Sequence, residues 1–213
     1  MKRILTTLVA LTLLAIGTAP AQTNVTPFLN SVTGSTNNWS WTYHTELGAP
    51  QEFSSIGAFP LATSGFTGVK STEYQDYFTI YDFAGFIPDS NTQPPNWLFQ
   101  SLNVGTTPRS IFVLDDPDIP NLTWVYDGPT ITGPLELSDG LGLFTAMSIY
   151  DQQTDGTFAA DATKHDPVNS NIDGLVEQTS GSVSVPAVPE PSTFVLFGAG
   201  LIGAVVMRHR ARK

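Results

Sequence analysis

Histidines 44 and 165 are the only imidazoles available as bases in the body of this 213-residue chain. His44 lies in the strand-like run Asn38–His44, and His165 lies in Lys164-His165-Asp166-Pro167, a loop pattern. A Ser-His-Asp set needs a serine held against such a base. No Gly-x-Ser-x-Gly surrounds any serine, and no His-Glu-x-x-His occurs, so the signatures of a serine hydrolase and of a zincin are missing. Paired carboxylates perform glycoside hydrolysis when held about 5–10 Å apart. With eighteen acids in the body, accidental pairs are common and carry little weight. Most of these acids read as turn formers and solvated charge.

Two other chemistries deserve weighing. Hard oxygen ligands suit calcium. Asp115, Asp116 and Asp118 form one acidic cluster, and Asp151 and Asp155 form another. Neither follows the D-x-D-x-D-G order of an EF-hand, so calcium is a candidate cofactor on composition only. Exposed tryptophans stack on sugar rings, and Trp39, Trp41 and Trp97 are the candidates, with Trp124 beside them. Trp39 and Trp41 are two apart and share a face of a strand. The competing reading is that all four fill the core.

The elements that would position these residues are strands. Leu122, Trp124 and Tyr126 alternate along one face of Leu122–Asp127, and Leu143, Met147 and Ile149 along one face of Leu143–Tyr150. Tyr77–Phe83 reads as a strand with both faces partly buried. Ser110–Leu114 is a continuous apolar run that reads as a central strand, and Asn38–His44 is a further strand. Turn signals separate them, such as Pro88-Asp89-Ser90-Asn91, Asp115-Asp116-Pro117-Asp118 and Asp139-Gly140. The expected fold is all-β: an antiparallel, jelly-roll-like β-sandwich over residues 22–180. Residues 181–188 read as an extended linker, with Val183 and Val185 in an edge strand as the alternative.

Charge is unevenly placed. The body holds only Lys70, Arg109 and Lys164 against eighteen acids, a net charge of −15. Phosphate backbones repel such a surface, which argues against nucleic-acid binding. The chain has no cysteine, so disulfides, thiolate metal sites and cysteine nucleophiles do not arise.

Both ends carry membrane signals. Met1-Lys2-Arg3, the apolar run Ile4–Ile16 and an A-x-A site at Ala19 and Ala21 have the anatomy of a secretory signal peptide over 1–21. They predict passage through the Sec translocon and cleavage by signal peptidase after Ala21; an uncleaved anchor is the alternative. At the other end, Pro189-Glu190-Pro191 precedes an apolar stretch, Phe194–Met207, read as a transmembrane helix over 193–207. Its fourteen residues give about 21 Å of helix, short of a roughly 30 Å hydrocarbon core. Arg208, Arg210, Arg212 and Lys213 then act as a cytoplasmic stop-transfer cluster, which places the body in the periplasm.

These three parts, in this order over Val188–Lys213, closely resemble the PEP-CTERM sorting signal. The resemblance implies recognition by an exosortase, an intramembrane cysteine transpeptidase of Gram-negative, exopolysaccharide-producing bacteria. It further implies transient anchoring in the inner membrane, cutting near Pro189-Glu190-Pro191, and release or attachment at the cell surface. The same tail occurs on some proteins labelled ice-binding, where it reports routing and not ice binding. The expected function is that of a non-enzymatic surface or extracellular-matrix protein associated with exopolysaccharide or biofilm. A glycan-binding, calcium-assisted sandwich and a secreted hydrolase are the alternatives.

Overall fold

A computed structural model describes residues 25–54, 76–135 and 140–189. The signal peptide with Ala19 and Ala21, the apolar stretch 193–207 and the basic residues Arg208, Arg210, Arg212 and Lys213 lie outside the described residues. Within them the chain is all-β and antiparallel, with no helix.

Ten strands follow in order: β1 Val25–Ser35, β2 Asn38–Leu47, β3 Gln51–Phe53, β4 Tyr77–Ile80, β5 Trp97–Leu102, β6 Asn121–Tyr126, β7 Ile131–Thr132, β8 Leu143–Ser148, β9 Gln153–Lys164 and β10 Val176–Pro186. They form two sheets. The smaller has the order β1-β2-β8, and the larger runs β5-β6-β4-β9-β3-β7 with β10 also paired to β9. Strand β9 is the axis of the large sheet. Strands β4 and β3 line one side of it, opposite Phe158–Asp161 and Thr163–Lys164 respectively, and β10 lines the other along Gln153–Thr163. The β1–β2 hairpin turns through Thr36 and Asn37, both at positive φ, the backbone that two-residue hairpin loops require.

The sheets share one aromatic core. Phe144 of β8 projects from the small sheet onto Phe78 of β4 and Trp97 of β5, each 4.9 Å between ring centroids, and onto Trp124 of β6 at 5.6 Å. All three contacts are edge-on, the arrangement that suits ring quadrupoles. Trp41 and Tyr43 of β2 meet Phe83 in the same way. Small residues of β9, Ala160 and Ala162, leave room for these rings.

The opposite face of the large sheet is closed as well. Every residue of β4 and β6 is buried. Tyr77 and Val125 pack there with Leu98, and Thr79 bonds Thr123 at 2.9 Å and the Thr106 carbonyl at 2.8 Å.

Two expectations need correction. Ser110–Leu114 is not a strand: Ile111 N–H closes a turn onto the Pro108 carbonyl, and Phe112 and Leu114 are 86% and 80% exposed. Pro108 and the Asp-rich turn after Leu114 bracket the run, and no neighbouring strand pairs with it. Along β8 and the residue after it, Leu143, Met147 and Ile149 share a face as expected; it is the outer one, and Phe144, Ala146 and Ser148 point inward. Residues 181–186 are not a linker. They are the second half of β10, where Val183 and Val185 are buried, as in the edge-strand alternative.

Replacing Phe144 with Ala removes the ring that joins three aromatic partners. We expect a loss of about 4 kcal/mol, the range for a buried Phe. Urea denaturation followed by tryptophan fluorescence measures it; a loss below about 1 kcal/mol rules out this view of the core.

Candidate functional site

Strand β10 carries the chain out of the body. It pairs with β9 without interruption from Val176 opposite Thr163 to Pro186 opposite Gln153. Ala187 extends the ladder by one bond, its N–H donating to the Gln152 carbonyl at 2.7 Å. Tyr43 reaches across and donates its hydroxyl to the Ser184 carbonyl at 3.0 Å. Val188 and Pro189 are exposed beyond this last tether. The first proline of Pro189-Glu190-Pro191 therefore follows the folded ladder with one residue between it and Ala187; Glu190 and Pro191 lie outside the described residues.

The acids at 115–118 hold a loop together. Asn121, buried at the start of β6, accepts from the Asp82 N–H at 2.7 Å and donates to Asp115 Oδ1 at 2.8 Å and to the Asn103 carbonyl at 3.2 Å. Asp115 Oδ2 accepts from the Gly105 N–H, Asp116 Oδ1 from the Asp118 N–H, and Asp82 Oδ1 from the Asp116 N–H. Asp82 sits at φ 54°, a left-handed backbone that Asp tolerates better than most residues. Burial pushes its carboxyl above the usual range, and the charges of Asp115 and Asp116 push the same way. Asp115 and Asp116 thus give oxygens to backbone and amide donors, while Asp118 takes part through its backbone N–H. Among the described residues no group of three or more His or acidic side chains is placed for a metal. The three bonds of Asn121 join segments up to 39 residues apart, a juxtaposition that spacing along the chain does not reveal.

A second acidic pair is buried on the outer face of the large sheet. Asp76 is 1% exposed and accepts from the Ser54 N–H at 2.7 Å and from the Thr163 hydroxyl at 3.0 Å. Burial raises its carboxyl to about 8, against the pull of those bonds and with the charge of Asp161 adding to the rise. Asp161, 3% exposed, is raised to about 6, also by burial, while Gln178 and Tyr77 beside it pull the other way. These are structural acids that fold best protonated.

The histidines face carboxylates. His165 Nδ1 lies 3.1 Å from Glu52 Oε2 and 3.9 Å from Asp173, and His44 lies 3.8 Å from Glu46 and stacks on Phe28. Two of the three tryptophans expected to stack on glycans, Trp41 and Trp97, are core residues. Trp41 and Trp97 are 0% and 5% exposed, their faces covered by Phe83 and by Phe53, Phe78, Tyr126 and Phe144. Trp39 packs partly buried against the same core. Neither Trp41 nor Trp97 presents a ring face to a ligand.

With this geometry in place, the C-terminal segment identifies the class. Residues 187–213 match the family model of the PEP-CTERM protein-sorting motif, a signal that implies an exosortase as processing partner, export and membrane-anchored sorting. The match begins at Ala187, the residue that ends the β10 ladder. Among curated proteins and solved structures no match is found.

Two predictions follow from the buried polar groups. Asp76 and Asp161 have folded-state values above those of the unfolded chain, so their stabilisation is complete at low pH and is lost as pH rises through about 6 and then about 8. Each contributes at most about 1.4 kcal/mol per pH unit. Thermal melts from pH 5 to 9 should fall with pH, and Asp76→Asn should flatten the upper part of the decline; an unchanged slope in the variant excludes Asp76 as its source. Asn121→Ala leaves the Asp82 N–H and Asp115 without their partner and should cost about 3 kcal/mol. Chemical denaturation reads this directly.

Proposed function

We propose that this is a non-enzymatic protein of the bacterial cell surface or extracellular matrix, delivered by its sorting signal and cut by an exosortase near Pro189-Glu190-Pro191. The body, in this reading, is a jelly-roll-like β-sandwich working in an exopolysaccharide-rich envelope or biofilm. The observation that carries the proposal is the direct junction of a PEP-CTERM motif at 187–213 with an acidic all-β body. Export through the Sec translocon and removal of residues 1–21 by signal peptidase belong to the same reading. So does a transient stay in the inner membrane with the body in the periplasm.

Further features support a binding or structural role for the body. The carboxylates of Asp115 and Asp116 are engaged in loop bonds. The excess of acids over bases suits a surface that stays hydrated among neutral polymers and keeps away from nucleic acid.

Intact-mass analysis of the protein from an exosortase-bearing strain tests the reading. We expect a chain that begins after Ala21 and ends near Pro189-Glu190-Pro191, and an uncut C-terminus in a strain lacking the enzyme. A surface-associated protein that still ends at Lys213 in the competent strain removes the processing step from the proposal. Fractionation of the same cultures should place the cut form with the cell surface or the surrounding matrix.

A further inference from the structure

We infer that the closed β9–β10 ladder and the exosortase compete for the same stretch of chain, so that processing draws on molecules whose last ladder pairs are open. The inference rests on reading the tail as an exosortase substrate. It adds a contact between the folded body and that partner, located at the end of the body formed by Gln152–Asp155 and Ser184–Ala187.

The geometry is tight. The ladder runs through Pro186 opposite Gln153, and Ala187 is tied to Gln152 at 2.7 Å. Only Val188 and Pro189 separate that tether from Glu190. Two or three extended residues span about 7–10 Å at most. An enzyme embedded in the membrane must seat the chain on both sides of the bond it cuts. With the ladder closed, the end of the body occupies the side that precedes Pro189.

Freeing more chain is costly in a graded way. Ala187 needs only its single bond to break. Going further pulls Pro186 and Val185 out of burial; Val185 is 1% exposed and packs against Gly156, where a Cβ would lie 2.6 Å from its Cγ2. The Tyr43 hydroxyl bonded to the Ser184 carbonyl marks the next stop. The accessible length is therefore set by the fold. The same ladder shields the residues ahead of the motif once the chain is cut.

The absence of native cysteine makes the test clean. Asp155 and Ser184 are register partners, and such pairs have Cα atoms about 4.5–5.5 Å apart, within the span of a disulfide. Full-length Asp155→Cys/Ser184→Cys protein is followed by pulse-chase in an exosortase-bearing strain, alongside wild type. A third chain carries six Gly/Ser residues inserted between Pro186 and Ala187, and a fourth combines the insertion with the cysteine pair. The oxidised pair should slow conversion to the short form by about tenfold or more, the factor that burial of one aliphatic side chain supports. Reductant or the insertion should restore the rate, and the insertion alone should exceed the wild-type rate. A locked chain converted as fast as wild type overturns the inference. If the cysteine pair fails to fold, an insertion that does not accelerate conversion overturns it equally. Wild type that keeps its tail is a different result: it defeats the processing reading, and this inference with it.

Discussion

The edge-on contact of Phe144 with Phe78, Trp97 and Trp124 is the constraint on which the described body depends. With no cysteine in the chain, nothing covalent ties the small sheet to the large one. The joint is made by rings supplied from β4, β5, β6 and β8, four strands spread over seventy residues of sequence. Ring packing of this kind is directional as well as apolar, so it fixes how the two sheets face one another. Small residues on β9 are the necessary complement, because the rings need space that larger side chains would fill.

The buried polar groups follow from that closure. A sheet covered on both faces must satisfy everything it buries. Thr79 with Thr123, Asp76 with Ser54 and Thr163, and Asn121 with Asp82, Asp115 and Asn103 do this on the outer face and at its rim. The acids so used are removed from any role as ligands. The acidic surface is thus of two kinds: charges facing water, and a minority that organise loops and strand ends.

Much of the strand pattern was readable from the amino acids, and the failures have physical causes. β2, β4, β6 and β8 carry aromatic and β-branched residues in strong patterns, and they lie where those patterns put them. β9 reads Gln-Thr-Asp-Gly-Thr-Phe-Ala-Ala-Asp-Ala-Thr-Lys, poor in the residues that favour strands, and its place was set by neighbours on both sides. Ile111–Leu114 erred the other way, since an apolar run becomes a strand only where a partner edge is offered. Trp41 and Trp97 could be assigned to surface or core only once packing was known. The sorting motif was legible because its three parts are defined by order along the chain and need no fold. The polar network of Asn121 was not, because its partners meet only in three dimensions.

The position of β9 bears on the order in which the sheet can close. It is the axis of the large sheet, yet it arrives at residues 153–164, with its register partners in β3 and β4 lying 78 to 113 residues earlier. Pairings so distant in sequence form slowly, because a long loop must close before they return any stability. An emerging chain therefore cannot complete its sheet until most of it has been synthesised. Until then β3 and β4 lack the strand that joins them.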